Sequence, residues 1–494
     1  MSAADISGGA EPRLYESRKK IFPKDVKGPF RRFKWTMLIV TLSIYYLTPW
    51  IRWSRGAGAP DQAVLIDLSN AKFYFFFIEI WPQEFYYVAG LLIMAGLGLF
   101  LVTSIVGRAW CGYACPQTVW TDLFLWIERR LEGDRNAQKR LDKAPWTARK
   151  LRLRLTKHAA FVVVAVLTGG AWVFYFADAP TLAAELMTGA AATEAYAAIA
   201  VLTFTTYSLG GLMREQVCIY MCPWPRIQAA MTDERSLIVT YQDWRGEPRG
   251  AKRKKGAEGC GPLGDCLDCG ACAAVCPMGI DIRDGQQLAC ITCGLCIDAC
   301  DAVMDKVARD KGLIAYCTLE EYDAAKATGE PPSLGWRSIL KLRSVLYLGL
   351  WSAIGVALVV ALTLRDGLDA TIRPDRNPQF VMLSDGSVRN GFQVKILNMR
   401  LEDRRFEIAI EQLPDATLRR VGGGAEEGRG SRSSLVVHTP PDEVLEMRVF
   451  IERPREAIQS AHTPFEFTVT EIGGRGEHGS FAAAFKAPAR YEQR

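Results

Sequence analysis

Five stretches of the chain are long, apolar and nearly free of charge. Each is close to the roughly 20 residues that an α-helix needs to cross the hydrocarbon core of a bilayer. Aromatic residues crowd several of their ends, as they do at membrane–water interfaces. Buried helices of a large soluble core are the alternative, and five runs with so little charge argue against it. The pattern predicts five transmembrane helices, at residues 33–51, 85–107, 159–177, 195–213 and 344–364.

The pattern changes after residue 365, where apolar and polar residues alternate in short runs separated by Pro and Gly turns. Alternation with a period of two is typical of strands with one buried face. Several such runs at regular spacing predict a β-sandwich of about 100 residues, immunoglobulin-like in broad type. The predicted strands are Phe392–Met399, Phe406–Leu413, Leu435–His438, Leu445–Glu452 and Phe465–Ile472.

One further apolar stretch, residues 64–81, fits neither pattern well. It reads VLIDLSNAKFYFFFIEIW and carries charged residues inside the run. We interpret it as a segment that lies in or near the outer membrane interface.

The basic residues orient the predicted helices. Residues 1–34 carry nine Lys or Arg and residues 108–157 carry twelve, whereas residues 178–194 carry none and residues 52–83 only three. Lys and Arg accumulate in cytoplasmic loops, so the N-terminus should be cytoplasmic and residues 365–494 should lie on the opposite side of the membrane.

The predicted orientation and the two patterns of apolar residues together divide the chain into five parts. They are a basic cytoplasmic N-terminus (1–34), a four-helix membrane region (35–213), a cytoplasmic insert (214–343) that carries the C-x2-C-x2-C-x3-C cysteines of a ferredoxin-like domain, a fifth transmembrane helix (344–364) and an immunoglobulin-like domain on the opposite side of the membrane (365–494).

Fourteen cysteines are present, and eight of them follow a strict spacing between predicted helices four and five. C-x2-C-x2-C-x3-C occurs twice, beginning at Cys266 and at Cys290. This is the two-cluster ferredoxin pattern, in which the fourth cysteine of each run binds the other cluster. It predicts two [4Fe–4S] clusters, one held by Cys266, Cys269, Cys272 and Cys300 and the other by Cys290, Cys293, Cys296 and Cys276.

Three details accompany the ferredoxin pattern. Gly270 and Gly294 supply tight turns where a side chain would collide with the inorganic core. A structural zinc site is the alternative, but zinc favours two separated C-x2-C pairs over interleaved triplets. Cys260 and Cys317 fall outside the pattern and receive no role.

A shorter motif, C-x-Y-x-C-P, also occurs twice. It contains Cys111 and Cys115 in the first copy and Cys218 and Cys222 in the second, each after an apolar helix that runs from outside to inside. Residues i and i+4 share one helix face, so two packed copies should bring four thiols together. Such a set suits Cu(I), zinc or iron–sulfur, and spacing does not choose among them. The simpler alternative is four unpaired cysteines at helix ends.

Other redox cofactors have no visible site. Only four histidines occur and no predicted helix holds two, which argues against a membrane haem with two histidine ligands. No G-x-G-x-x-G motif follows a strand, so no nicotinamide or flavin fold is visible. The protein should therefore receive electrons from an unidentified partner, and we expect no nucleic-acid partner.

This combination of motifs resembles the CcoG/FixG/RdxA family, the accessory proteins of cbb3-type cytochrome c oxidase. The resemblance covers nearly the whole chain. It implies an iron–sulfur protein of the bacterial inner membrane whose C-terminal domain lies in the periplasm. The implied activity is reduction of Cu(II) to Cu(I) in assembly of the oxidase, with copper transport factors, assembly factors and oxidase subunits as partners. It also implies that Cys111, Cys115, Cys218 and Cys222 are the reactive, copper-binding thiols.

Two other functions remain open from the sequence. One is a polyferredoxin that passes electrons from quinol to a partner reductase, in which case the C-x3-C-P cysteines would not bind copper as substrate. The other is a redox-sensing scaffold for oxidase assembly.

Overall fold

The computed structural model describes residues 20–56, 59–250, 263–332, 341–365, 367–400, 402–422, 433–474 and 476–488. Cys260 lies outside these residues. The chain forms two compact units: residues 1–51 with 63–356, and residues 52–62 with 357–494.

The first unit is mainly helical, and a helix overlaps each of the five predicted spans. In chain order the helices are α1 (Pro29–Leu47), α2 (Phe85–Val106), α3 (Ala109–Tyr113), α4 (Pro116–Glu132), α5 (Arg135–Lys143), α6 (Ala148–Val173), α7 (Ala179–Thr188), α8 (Thr193–Thr206), α9 (Trp224–Met231), α10 (Asp243–Gly246), α11 (Ala271–Val275), α12 (Leu295–Lys306), α13 (Leu319–Thr328) and α14 (Leu342–Thr363). The helix α8 continues as a π-helix over Tyr207–Met213, and a second π-helical turn covers Val217–Met221.

Within the described residues, four helical segments are long and apolar enough to cross a membrane: Pro82–Val106, Ala148–Val173, Thr193–Met213 and Leu342–Thr363. Together they make this a membrane protein. The first predicted span, 33–51, is the helix α1, whose first turns carry Arg31, Arg32 and Lys34. Its crossing of the membrane stays a prediction.

The ambiguous stretch at 64–81 is a small antiparallel sheet. Its strands β1 (Val64–Asp67), β2 (Lys72–Phe75) and β3 (Ile78–Ile80) pair in the order β1-β2-β3. The charged residues interrupt the apolar run at the turn and on the polar strand positions, which a spanning helix would not tolerate.

Two buried contacts fix the ferredoxin-like part and the first helix to the other helices. The carboxylate of Asp298 in α12 accepts the Arg31 N–H at 2.7 Å and the Phe30 N–H at 3.3 Å, and so caps the N-terminus of α1. The guanidinium of the same Arg31 donates to both oxygens of Asp122 in α4 at 2.9 Å. The ferredoxin-like part also contains a two-stranded antiparallel sheet, β4 (Ile238–Tyr241) with β5 (Ile314–Cys317).

The second unit contains a β-sandwich, and each of the five predicted strands overlaps one of its strands, although Phe392–Met399 and Phe406–Leu413 run one and two residues past the strand end. The strands are β6 (Leu368–Pro374), β7 (Val381–Met382), β8 (Val388–Asn398), β9 (Arg404–Glu411), β10 (Thr417–Arg420), β11 (Ser434–Thr439), β12 (Val444–Arg453), β13 (His462–Ile472) and β14 (His478–Lys486). One sheet has the order β10-β12-β8-β6 with β7 paired to β8, and the other has the order β11-β9-β13-β14.

The alternation of the sequence explains the core of the sandwich. Phe392, Phe465 and Phe467 are essentially unexposed, and the Phe392 ring meets the Phe467 ring at 5.2 Å between centroids. The intervening residues point to solvent, as a strand with one buried face requires.

Candidate iron–sulfur and thiol site

The eight ferredoxin-type cysteines surround two neighbouring cavities. The first cavity is lined by Cys266, Cys269, Cys272 and Cys300. The second cavity is lined by Cys276, Cys290, Cys293 and Cys296, and Cys272 also borders it. The chain thus brings together the same two interleaved sets that the spacing predicts.

Local backbone geometry shapes both cavities. Gly270 and Gly294 precede α11 and α12 and adopt left-handed conformations, with φ of 61° and 71°. A side chain is strained in this conformation, and a Cβ atom on Gly294 would lie 2.8 Å from the Phe30 ring. The helix α12 then places Cys296 at the second cavity and Cys300 at the first, one turn apart on the same helix.

The surroundings of the second cavity fit a sulfur-bound cluster. Ile280, Ile291 and Leu295 provide apolar walls, and the Thr292 N–H donates to the Cys290 sulfur at 3.4 Å. Within the described residues the buried Thr292 hydroxyl has no hydrogen-bond partner, which leaves a donor free for a further acceptor. Burial raises the pKa of Cys276 to about 12, so these thiols would release protons on binding iron.

The two C-x3-C-P motifs fold into the same turn. In the first, the Cys115 N–H donates to the Trp110 carbonyl at 2.9 Å; in the second, the Cys222 N–H donates to the Val217 carbonyl at 2.8 Å. Both bonds span five residues, a π-type closure. The second cysteine of each motif is extended, with φ, ψ of −60°, 128° and −78°, 122°.

These turns correct one detail of the sequence prediction. We expected the cysteines at i and i+4 on one face of a continuous helix. Instead α3 ends at Tyr113, and Cys115 and Cys222 leave the helical conformation because the following proline disfavours it in the residue before. The repeat is therefore structural as well as sequential.

Neighbouring C-x3-C-P thiols act electrostatically on Cys218 and on Cys111. Burial raises the pKa of Cys218 to about 12, and the charges of Cys115, Cys111 and Cys222 raise it further. Burial also raises the pKa of Cys111 to about 11, again with contributions from Cys115 and Cys222. All four sulfurs therefore lie within electrostatic reach of one another.

The spacing of the side chains is wider than a single metal ion requires. Across the described part of the chain, no three His, Cys, Asp or Glu side chains stand close enough to hold one ion. This holds for the four C-x3-C-P thiols and for the eight ferredoxin-type cysteines alike. All thirteen described cysteines are free thiols.

The first C-x3-C-P turn packs directly on the second cavity. A Cβ atom on Gly112 would lie 2.6 Å from the Ile291 carbonyl oxygen and 3.1 Å from the Cys293 Cα, so the two backbones touch. The Tyr113 hydroxyl donates to the Cys293 carbonyl at 2.9 Å. Cys111 and Cys293 belong to one buried apolar cluster, with Cys218 and Cys276 packed against it.

Sequence reasoning missed three residues that support this contact. The Arg108 guanidinium donates to the Leu288 carbonyl and lowers the pKa of Cys111, Cys218 and Cys290, opposing the effect of burial. Gln228 accepts a hydrogen bond from the Cys111 thiol at 3.1 Å. Tyr316 lies 3.3 Å from the Tyr113 hydroxyl. Arg108 precedes the first motif closely enough to have been suspected; the other two carry no sequence signal.

The two motif tyrosines offer a matched test of this packing. Burial raises the pKa of Tyr113 to about 12, so its hydroxyl stays a donor, whereas Tyr220 at the equivalent place is 56% exposed. Tyr113→Phe should leave the buried Cys293 carbonyl short of a donor and destabilise the protein by about 1–3 kcal/mol. Tyr220→Phe should stay within about 0.5 kcal/mol. Thermal unfolding in detergent measures both, and equal shifts would contradict the assigned contact.

Three family models match separate parts of the chain. Residues 213–319 match a 4Fe-4S dicluster domain, and residues 88–133 match a 4Fe-4S binding domain. Residues 358–488 match an Ig-like fold at the C-terminal of FixG. With the apolar helices, these matches define a membrane iron–sulfur protein of the electron-transfer class.

Three relatives that match most of the chain identify the family within this class of membrane iron–sulfur proteins. The nitrogen fixation protein FixG of Rhizobium meliloti (strain 1021) is 56% identical over 497 residues, covering 96% of this chain and 94% of the relative. Protein RdxA of Cereibacter sphaeroides is 58% identical over 402 residues, covering 81% and 84%, and RdxB of the same organism is 55% identical over 438 residues, covering 89% and 90%. The chain belongs to the FixG/RdxA family.

Proposed function

We propose that the protein carries electrons from a reduced redox-protein partner to Cu(II), and that the Cu(I) it forms serves assembly of a cbb3-type cytochrome c oxidase. The observation that carries the proposal is the direct packing of the C-x3-C-P thiols on the second ferredoxin-type cavity. A pure scaffold has no need of such contact between two sets of thiols.

Two [4Fe–4S] clusters would occupy the cavities, the first held by Cys266, Cys269, Cys272 and Cys300 and the second by Cys290, Cys293, Cys296 and Cys276. The apolar walls, the sulfur-directed N–H and the free Thr292 hydroxyl support this assignment. When bound, each cluster stores and releases one electron.

The order of the cysteine sets gives the proposed direction of transfer. Cys269 of the first set is exposed and therefore accessible to a partner protein. Cys272 borders both cavities, and Cys293 of the second set adjoins the C-x3-C-P turn. The proposed path therefore runs from the exposed Cys269, through the two cavities, to the C-x3-C-P turn.

The coordination chemistry of copper suits the C-x3-C-P thiols at the end of this path. Each Cu(II) takes up one electron and becomes Cu(I), and no bond of the protein is made or broken. Cu(I) favours thiolate ligands whereas Cu(II) favours nitrogen and oxygen, so a sulfur-rich surrounding stabilises the product. Reduction would take place at or beside Cys111, Cys115, Cys218 and Cys222.

We also propose the membrane arrangement that the charges indicate. The N-terminus and the ferredoxin-like part would face the bacterial cytoplasm, where thiols stay reduced, and the sandwich would face the periplasm with α1 as the additional crossing helix. The sandwich would then be placed to meet oxidase subunits and copper-handling assembly factors.

A direct experiment tests the proposed reaction. The full-length protein is reduced anaerobically with dithionite, freed of excess reductant and mixed with Cu(II) and a Cu(I)-specific chelator. We expect the cluster absorbance to report reoxidation while Cu(I) appears in equal amount. A variant with Ser at positions 111, 115, 218 and 222 should react several times more slowly.

The controls separate loss of the thiols from loss of the fold. Cys317 is buried in β5 and belongs to none of the three sets, so Cys317→Ser should react like the unchanged protein. Iron content establishes that each variant keeps its ferredoxin clusters. Clusters that stay reduced in the presence of Cu(II) would refute the proposal and favour a conduit to another acceptor.

A further inference from the structure

A third cavity, of about 850 Å³, lies at one end of the spanning helices. It is lined by residues of α4, α6 and the π-helix Tyr207–Met213. We propose that this cavity binds the phosphodiester head group of one anionic phospholipid, with an acyl chain along the exposed side of α6. The inference goes beyond the proposed electron transfer and stands whether or not copper is the acceptor.

The packing of two spanning segments places the cavity at a membrane surface. The segments are α6 and the helix formed by α8 with its π-helix. A Cβ atom on Gly169, late in α6, would lie 2.9 Å from the Ile199 carbonyl oxygen, early in the second segment. A Cβ atom on Gly211, late in the second segment, would lie 3.1 Å from the Phe161 ring. The segments are therefore antiparallel, and the start of α6 meets the end of the second segment at the cavity.

The wall that α6 contributes fits a lipid head group. Lys150, Arg154 and Lys157 line the cavity at positions i, i+4 and i+7, which share one helix face. Leu151 and Leu155 line it one position further on and are 50% and 61% exposed. A basic stripe therefore stands beside an exposed apolar stripe, which is the arrangement that a phosphodiester with an attached acyl chain requires.

The charges at the cavity leave one positive charge in excess. Two buried carboxylates, Glu128 and Glu132, pair with Lys157, Arg154 and Arg214 at 2.8–3.1 Å. In total, five cations face four carboxylates: Lys20, Lys150, Arg154, Lys157 and Arg214 against Glu128, Glu132, Asp142 and Glu215. A phosphodiester carries a single negative charge and would balance this excess.

Lys150 is the cation that the described carboxylates leave over. It is 6% exposed, and its ammonium donates to the carbonyls of Asp142 at 2.9 Å and Ala144 at 2.6 Å and lies 5.1 Å from the centre of the Trp146 ring. Within the described residues it forms no ion pair, and its third N–H has no hydrogen-bond acceptor. A buried cation without a counter-charge is costly, and a phosphodiester oxygen would supply both the acceptor and the charge.

The test is native mass spectrometry of the full-length protein, delipidated in detergent and titrated with phosphatidylglycerol or phosphatidylcholine. Both lipids contain a phosphodiester, but only phosphatidylglycerol has a net negative charge. We expect one phosphatidylglycerol to bind about tenfold more tightly than phosphatidylcholine. Lys150→Gln removes the excess charge and should abolish most of this preference.

Arg152→Gln is the matched control. It removes the same charge from the same helix two residues away, but Arg152 is exposed and does not line the cavity. An exposed charge contributes little, so this variant should keep the preference within about twofold. Equal losses in Lys150→Gln and Arg152→Gln would overturn the inference, because the general charge of the surface would then attract the lipid.

Two further outcomes would also overturn the inference. One is equal affinity of the unchanged protein for the two lipids, a comparison that does not depend on the folding of any variant. The other is displacement of bound phosphatidylglycerol by an excess of inorganic phosphate, which would assign the cavity to a free anion. Because the measurement uses neither iron nor copper, its result is independent of the Cu(II) assay.

Discussion

Gly112→Ala should slow electron transfer to Cu(II) while leaving the ferredoxin cysteines in place. The added Cβ atom would lie 2.6 Å from the Ile291 carbonyl oxygen and 3.1 Å from the Cys293 Cα, and both are backbone atoms that cannot rotate away. The C-x3-C-P turn must therefore move off the second cavity. Such overpacking also costs about 1–3 kcal/mol of folding free energy.

A matched substitution isolates this effect. Gly96 lies in α2, and a Cβ atom there would meet nothing within 4 Å, so Gly96→Ala should be silent. Stopped-flow mixing of the reduced protein with Cu(II) measures the rate, and iron content measures cluster occupancy. If both alanine variants react at the unchanged rate with full iron content, close packing of the turn on the cavity does not control transfer.

Asp122→Asn should be the most destabilising of the proposed substitutions. Asp122 is 3% exposed and faces Arg31 at 2.9 Å and Lys34 at 3.9 Å, both also buried. The asparagine keeps the shape but leaves two buried cations without their counter-charge. Breaking a buried pair in this way costs about 3–5 kcal/mol. The unfolding midpoint in detergent should fall markedly.

An exposed pair provides the comparison. Asp305 faces Lys311 at 2.9 Å, but both side chains are more than half exposed, so Asp305→Asn should cost about 0–1 kcal/mol. Equal midpoint shifts for the two variants would show that burial does not strengthen the Asp122 contact. Retained iron in Asp122→Asn would place its effect on the helices and not on cluster binding.

The same carboxylate predicts a pH dependence. Burial raises the pKa of Asp122, but Lys34 and Arg31 outweigh it and lower the pKa below its ordinary range. A lowered carboxylate pKa stabilises the fold above the unfolded value, and this stabilisation is lost as pH falls through the folded value. The midpoint difference between the unchanged protein and Asp122→Asn should thus stay constant from neutral pH to about 5 and shrink as the pH falls further.

Much of this architecture could be predicted because it rests on local patterns. Apolar length predicted α2 and α14, and alternation predicted β8, β9 and β13. The strand β14 was missed because its HGSFAAAFK sequence is dominated by small residues, and β6 because it ends in a charged, proline-containing run. The sheet at residues 64–81 was missed because apolar content alone does not separate a short meander from an interfacial segment.

The candidate site was likewise predictable where its signal is local and unpredictable where it depends on long-range contacts. Cysteine spacing predicted the two sets that line the cavities, and the repeated motif predicted two equivalent turns. The contact of Gly112 with Cys293 joins residues about 180 positions apart and leaves no mark in either local sequence. The capping of α1 by Asp298 is likewise a long-range contact that neither local sequence indicates.

The helix α12 carries Cys296, Asp298 and Cys300 on consecutive half-turns. Two of these face separate cavities and the third anchors a different helix. Because an α-helix rises about 1.5 Å per residue, the positions of Cys296 and Cys300 on one helix fix the distance between the two cavities.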